Sequence, residues 1–397
     1  MARFTFTFAF MAATVTSAMQ LNVDTTSKTS SAAGTLASNL MNYYTDSDNG
    51  VLPQPYWWWE SAGLWSTMVQ YWHYTGDSSY NDAVTSAIAA QAGSGQDFMG
   101  TNALGNDDQL WWGIAAMTAA EYKFQAPSSG SSWLRLAENV FDEVQGRWDT
   151  NTCNGGLHWQ ISSSASGYSY KNAVSNGLFF QLAARLARYT GDSKYTTEAT
   201  TIWNWVHSVG LVDKSTYRVY DGTDSSEGCT SLDHDEWSYN VGVYLYGAAV
   251  MLDHTGDLAT WQPHVDGLVA AASAAFTSTE GILHETQCEL DGTCDTDQLS
   301  FKAYLSRWLA ATAALVPSTA TTIKPLLSAS VEGAIASCNG GPDSSICGFK
   351  WTTDTYDGTQ GVGQQLAALE IVQGLLASSS PLPSAASKRK LARRFEA

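Results

Sequence analysis

The run Leu178-Phe179-Phe180-Gln181-Leu182-Ala183-Ala184-Arg185-Leu186, followed by Tyr189-Thr190-Gly191-Asp192, decides the fold of this chain. It is apolar at helical spacing, its glycine suits a left-handed helix C-terminus, and the aspartate suits the cap of a following helix. The same turn recurs as Tyr74-Thr75-Gly76-Asp77 and His254-Thr255-Gly256-Asp257, which reads as helix, tight turn, helix. Extended along the chain, the pattern places the first helices of six hairpins near Glu60, Asp107, Asn172, Glu236, Gln298 and Thr359, with a helix over 30–45 completing the sixth. Twelve helices with strongly apolar first members (Leu178–Leu186, Val241–Leu252, Leu366–Leu376) predict an all-α (α/α)6 toroid, an inner ring covered by an outer one. An open solenoid is the alternative, but its repeats would resemble one another more closely. Strand signals are confined to short loop pieces such as Tyr217–Val219.

Outward from this body, Met1–Ala18 reads as a secretory signal: Arg3, an apolar run, then Thr16-Ser17-Ala18. Residues 19–378 are expected to form one catalytic domain and 379–397, rich in Ser, Ala, Pro and then Lys/Arg, a disordered basic tail. Without leader and tail, 14 bases face 37 acids over residues 19–387, a charge of about −23. Such a body repels phosphate backbones, which argues against nucleic acid as a partner. With Trp 16, Tyr 18 and Phe 13, the composition suits a neutral ligand with flat apolar faces, such as a sugar. Six cysteines fit an oxidising compartment; Cys288/Cys294 and Cys338/Cys347 can close small loops, leaving Cys153 with Cys229, although six cysteines allow 15 pairings. Their spacing fits no zinc site, and Gly361-Val362-Gly363 lacks the preceding strand of a dinucleotide site, so neither metal nor cofactor is expected.

Polar residues gather where the first helices begin. If the inner helices run parallel, all six N-termini open on one face. There stand Trp57-Trp58-Trp59-Glu60, Asn106-Asp107-Asp108-Gln109 with Trp111, Asn172 with Asn176, Trp237 with Tyr239-Asn240, Asp297, and Asp357 with Thr359-Gln360. Asp297, Asp357 and Thr359 are accounted for as helix caps. A cap uses one carboxylate, however, so Asp107 and Asp108 together call for another explanation. Two carboxylates at about 5 Å match a retaining glycosidase, one ionised as nucleophile, the other kept protonated by the first charge and by desolvation against Trp111 or Trp112. Trp57, Trp58 and Trp237 offer stacking faces to sugar rings.

These motifs, with Tyr170-Lys171-Asn172-Ala173-Val174-Ser175-Asn176-Gly177, Cys294-Asp295-Thr296-Asp297-Gln298 and Asp357-Gly358-Thr359-Gln360-Gly361, resemble family 76 of the glycoside hydrolases. The likeness is to the fungal cell-wall branch of mannan endo-1,6-α-mannosidases. The resemblance implies an (α/α)6 fold, retention, Asp107 as nucleophile, Asp108 as acid/base, and α-1,6-linked mannose of mannan or a GPI-type glycan as donor, with β-glucan as candidate acceptor. Fungal members end in a hydrophobic GPI-attachment tail, whereas this chain ends Arg393-Arg394-Phe395-Glu396-Ala397. A freely secreted member and a shortened chain both fit, which leaves membrane anchorage open. The other readings are a different (α/α)6 polysaccharide hydrolase and a non-catalytic wall-binding toroid.

Overall fold

The computed structural model describes residues 21–45, 49–100 and 102–385; the leader 1–18 lies outside them. Among the described residues twelve helices follow in order: α1 (Thr26–Met41), α2 (Trp58–Thr75), α3 (Asn81–Gln91), α4 (Asn106–Glu121), α5 (Trp133–Gln145), α6 (Ala173–Thr190), α7 (Ser193–Val209), α8 (Ser238–Thr255), α9 (Leu258–Phe276), α10 (Gln298–Leu315), α11 (Ala320–Ala336) and α12 (Val362–Gly374). The even-numbered helices are apolar nearly all round, and such helices must be covered on every side. Thus α4 buries every residue from Gln109 to Glu121 and α8 every residue from Asn240 to Leu252. The odd-numbered helices carry one apolar stripe, as in Trp133, Leu136, Ala137, Val140, Phe141 and Val144 of α5. Each even helix packs on the next, α12 returns to α2, and α1 covers that last junction. The result is the (α/α)6 toroid that the hairpin repeat predicted.

The hairpin turns follow the sequence reading. Gly76, Gly191 and Gly256 end α2, α6 and α8 with φ of 76°, 72° and 67°, a region that glycine enters without steric cost. Asp192 and Asp257 cap α7 and α9 by accepting the Lys194 and Thr260 N–H groups. Asp77 departs from the pattern: it takes the Ser79 N–H and the Tyr71 hydroxyl, and α3 starts only at Asn81. At Gly363 a Cβ would come within 2.6 Å of the Leu299 carbonyl oxygen, so only glycine lets α12 approach α10 this closely. The ring is braced by buried ion pairs. Arg185 of α6 bonds Glu121 of α4, and Arg307 of α10 bonds Glu370 of α12 at 2.8 Å and Ser66 of α2 at 3.1 Å.

Three short strands, β1 (Tyr170–Asn172), β2 (Gly222–Asp224) and β3 (Leu232–Asp233), form an antiparallel sheet in order β1-β2-β3. Helix α6 starts where the sequence places it, near Asn172, but the strand that leads into it was not expected. Asn172 is extended (φ −92°, ψ 158°) because its side chain caps α6 through the Ser175 N–H, so strand and helix meet at one residue. Tyr217–Val219 contributes only an isolated bridge between Val212 and Val219. All three disulfides pair as expected: Cys153–Cys229, Cys288–Cys294 and Cys338–Cys347. Residues 379–385 of the expected tail are among the described ones. Pro381–Ser384 lies across the end of the toroid away from the helix N-termini, with Arg188 donating to the Pro383 and Ser384 carbonyls and the Ser384 N–H to the Glu121 carbonyl. Residues 386–397 lie outside the described ones.

Candidate active site

Five of the six inner helices begin around one cavity of about 520 Å³. The start of α2 supplies Trp57, Trp58 and Trp59, α4 supplies Asp107, Asp108 and Trp111, and β1 and α6 supply Tyr170, Asn172 and Val174. Tyr239 of α8 and Phe301 of α10 stand opposite with Asp297, and loop residues Asn102, Leu104, Trp159, Gln160 and Asp221 complete the wall. No lining side chain is cationic. The helix N-termini provide the compensating positive potential for the carboxylates.

Asp107 and Asp108 are the second and third residues of α4. Asp108 reaches back to the Gly105 N–H at 2.7 Å, as an acidic residue at the third helical position does. Asp107 turns its Oδ2 to the Asn172 Nδ2 at 3.2 Å and accepts the Asp108 N–H on Oδ1 at 3.0 Å. A Cβ at Gly105 would overlap Asp107 Oδ1 and lie 3.2 Å from Asp108 Oδ2, so both carboxylates border one methyl-sized volume. Both face the cavity yet lie deep in protein. Desolvation, then the Asp108 charge, pushes Asp107 well above the usual carboxylate range. Desolvation raises Asp108 to about 6 against the restraint of the Gly105 and Leu104 backbone N–H groups. Two such groups titrate as a unit, and burial together with their mutual repulsion favours protonation of the pair.

Two further acids line the cavity. Burial raises Asp297 to about 7, helped by repulsion from Asp295 and opposed by the Trp59 Nε1–H bond at 3.2 Å. Burial raises Asp221 to about 6 although Tyr170 Oη (2.8 Å) and Asn240 Nδ2 (3.1 Å) donate to it. Trp59 stacks on Trp111 at 5.1 Å, and Tyr239 on Phe301 at 3.9 Å, giving the cavity rigid aromatic walls.

Behind β1 lies the brace of the site. Strand alternation sends Asn172 toward Asp107 and Lys171 away from it. The Lys171 ammonium is fully buried and donates to Asp149 Oδ2 (3.0 Å), the Thr152 carbonyl (3.0 Å) and the Gly155 carbonyl (2.6 Å). All three of its protons are thereby used. Asp149 also takes His158 Nε2, and the His158 carbonyl takes Asn106 Nδ2.

Of the residues singled out in the sequence, Asp107, Asp108, Trp57, Trp58, Trp111, Asn172 and Tyr239 meet in the cavity. Asn106 does not line it: its amide ties His158 to Arg147 Nε. Asn176 is fully buried and spends its side chain on the Leu157 backbone and the Asn172 carbonyl. Asn240 stands behind Asp221, and Trp237 packs edge-on against Phe301 without reaching the cavity. Gln360 is exposed before α12, the one inner helix that adds nothing to the wall. The three expected caps fail as well. Asp297 points into the cavity, while Asp357 and Thr359 bond the Phe349 N–H and α12 starts only at Val362.

The model of glycosyl hydrolase family 76 matches residues 28–387. The chain belongs to this family. The mannan endo-1,6-alpha-mannosidase DCW1 of Saccharomyces cerevisiae is 41% identical over 378 residues, covering 93% of this chain and 83% of that protein. Dfg5 from Chaetomium thermophilum, solved in complex with glucosamine, has a TM-score of 0.88 at 38% identity, over 92% of this chain and 94% of that one. An inactive variant of the alpha-1,6-mannanase GH76A of Salegentibacter sp. HEL1_6, two aspartates replaced by alanine, is solved with alpha-1,6-mannotetrose. It has a TM-score of 0.73 at 21% identity, covering 88% and 99%, and shares the fold.

The family 76 chain carries cavity residues that the sequence reading missed: Asp221, Trp159, Gln160, Leu104 and Phe301. Asp221, Trp159 and Gln160 sit on irregular loops, where no periodicity marks which way a side chain points. The one available signal was the Asp221-Gly222 pair following Tyr217–Val219, which marks a turn rather than a carboxylate.

Proposed function

We propose that the chain is a secreted retaining glycosidase and transglycosidase acting on α-1,6-linked mannose of mannan or GPI-type glycans in fungal cell-wall biogenesis. Asp107 is the nucleophile and Asp108 the general acid/base. The observation that carries this reading is the pair itself: two carboxylates on one helix start, bordering one methyl-sized volume, with both groups pushed towards protonation by burial. That is closer than the roughly 6.5–9.5 Å an inverting pair needs to admit a water. The name of the yeast relative supports the substrate. The leader-like Met1–Ala18 and the three disulfides support secretion.

In the first step an Asp107 oxygen bonds to C1 of the donor mannose while the C1–O bond to the leaving sugar breaks. The leaving sugar's oxygen takes the proton of Asp108. The proton must therefore stand on Asp108 once substrate is bound. Positive charge growing at C1 beside Asp107 favours the ionised nucleophile, and its Asn172 and Asp108 N–H donors favour it further. In the second step water or an acceptor hydroxyl attacks C1, gives its proton to Asp108, and the C1–Asp107 bond breaks. The aromatic walls and the absence of a lining cation support an uncharged sugar as substrate, with Asn172, Trp57, Trp58, Trp111 and Tyr239 as its contacts.

The test is incubation with defined α-1,6-mannooligosaccharides and a GPI-type glycan at rising concentrations of β-glucan oligosaccharide, read by mass spectrometry. Cleavage with donor–acceptor adducts supports the whole reading. Cleavage without adducts at high acceptor removes transfer and leaves the hydrolase, and intact substrates overturn the reading.

A further inference from the structure

Trp57, Leu104 and Trp159, exposed by 55%, 64% and 38%, all border the same cavity, and the two tryptophans are the exposed ones among the described residues. Exposed apolar side chains gathered at the mouth of a cleft mark a binding surface. Resting on the roles proposed above for the aspartates, we propose that Trp159 with Leu104 forms the platform on which the leaving pyranose stacks and on which the acceptor pyranose later takes its place.

The placement follows from backbone pairing. The Asn106 N–H donates to the Trp159 carbonyl at 2.8 Å, Gly105 pairs with Gln160, and the Ile161 N–H donates to the Leu104 carbonyl at 3.0 Å. Asp108 is bonded to the Gly105 N–H in the middle of this contact, whereas Asp107 turns to Asn172. Both carboxylates border Gly105, but only Asp108 is hydrogen-bonded to the backbone that carries Leu104 and Trp159, and on that ground the departing sugar is assigned to that side. The ring of Trp159 is held ready. A Cβ at Gly167 would lie 2.8 Å from two of its atoms, so the indole rests against bare backbone, and Gly167 itself has φ +81°. An indole fixed before binding loses little freedom when a sugar face covers it. The amides of Gln160 and Asn102 border the same side and suit the hydroxyls of that sugar.

The test compares Trp159→Ala, Trp159→Phe and Leu104→Ala on α-1,6-mannotetraose, whose leaving group is a sugar, and on α-1,6-mannobiosyl fluoride, whose leaving group is not. We expect Trp159→Ala to lose at least tenfold more kcat/KM on the tetraose than on the fluoride, and to need at least tenfold more acceptor for half-maximal transfer. Trp159→Phe should recover part of both. Leu104→Ala, at an exposed position that folding does not depend on, should show the same pattern more weakly and decides the matter if Trp159→Ala does not fold. Equal losses on both donors would place the platform on the donor side and overturn the inference, as would no change on either. Asp107→Asn, assayed for fluoride release, keeps the two questions apart: activity in that variant removes the catalytic reading itself, whatever Trp159 does.

Discussion

Desolvation raises the pKa of both Asp107 and Asp108, and the Asp108 charge raises Asp107 further. Asp107→Asn and Asp108→Asn should each lower turnover on α-1,6-mannooligosaccharides by orders of magnitude with an unchanged circular dichroism spectrum. Asp108→Asn should keep more activity on an activated aryl mannoside, whose leaving group needs less protonation; equal losses would remove the distinction between the roles. Asn172 sharpens the assignment. Its Oδ1 is committed to the α6 cap, so its NH2 faces Asp107 and favours only the charged form. Asn172→Ala should raise the Asp107 pKa further, move the acid limb of kcat/KM to higher pH, and cost about 1 kcal/mol of stability as the cap is lost. An unmoved acid limb would mean that Asn172 does not tune the nucleophile. The pair was legible in the sequence because capping never requires two adjacent carboxylates. Asp297 was not, since an aspartate before a helix reads as a cap whether it turns inward or not.

At the scale of elements, inner helices were legible because a helix apolar on every side has only one place to go. The strand β1 was not: three residues carry too little periodicity, and Asn172 serves strand and helix at once. That strand depends on Lys171. Hydrogen bonds from Thr152 and Lys171 hold Asp149 well below its ordinary value despite the desolvation that opposes it, so the pair is ionised behind the site. Lys171→Met would leave the half-buried Asp149 without its cation and the buried Thr152 and Gly155 carbonyls without their donor, and should lower stability. Because β1 carries Asn172, the variant should also reproduce the shifted acid limb of Asn172→Ala, and the double variant should shift it no further. Additive shifts in the pH profile would separate the brace from the nucleophile.

The closed ring was legible in the hairpin repeat, but the covering of its far end by Pro381–Ser384 was not, because Ser, Ala and Pro there resemble a loose tail. What binds the segment is two carbonyls meeting Arg188, whose position only the folded ring defines. The ring also encloses Glu60 and Glu285, each raised to about 8 by burial. The unfolded chain releases these protons near pH 4.3, whereas the folded chain keeps them to about 8, so across that window the native state binds more protons. Stability contributed by these groups should therefore fall as pH rises from about 4.5 to 8. A melting temperature lower at pH 8 than at pH 5, with a difference reduced in Glu60→Gln and Glu285→Gln, would bear this out; an unchanged difference would place the dependence elsewhere. The central claim concerns the reaction at the mouth of the ring, and it is tested most directly by following the anomeric signals of freshly cleaved α-1,6-mannotetraose by proton NMR. The account predicts that the α-anomer appears first and the β-anomer only through later mutarotation, with neither formed by Asp107→Asn. The β-anomer appearing first, or undiminished cleavage by that variant, would contradict it.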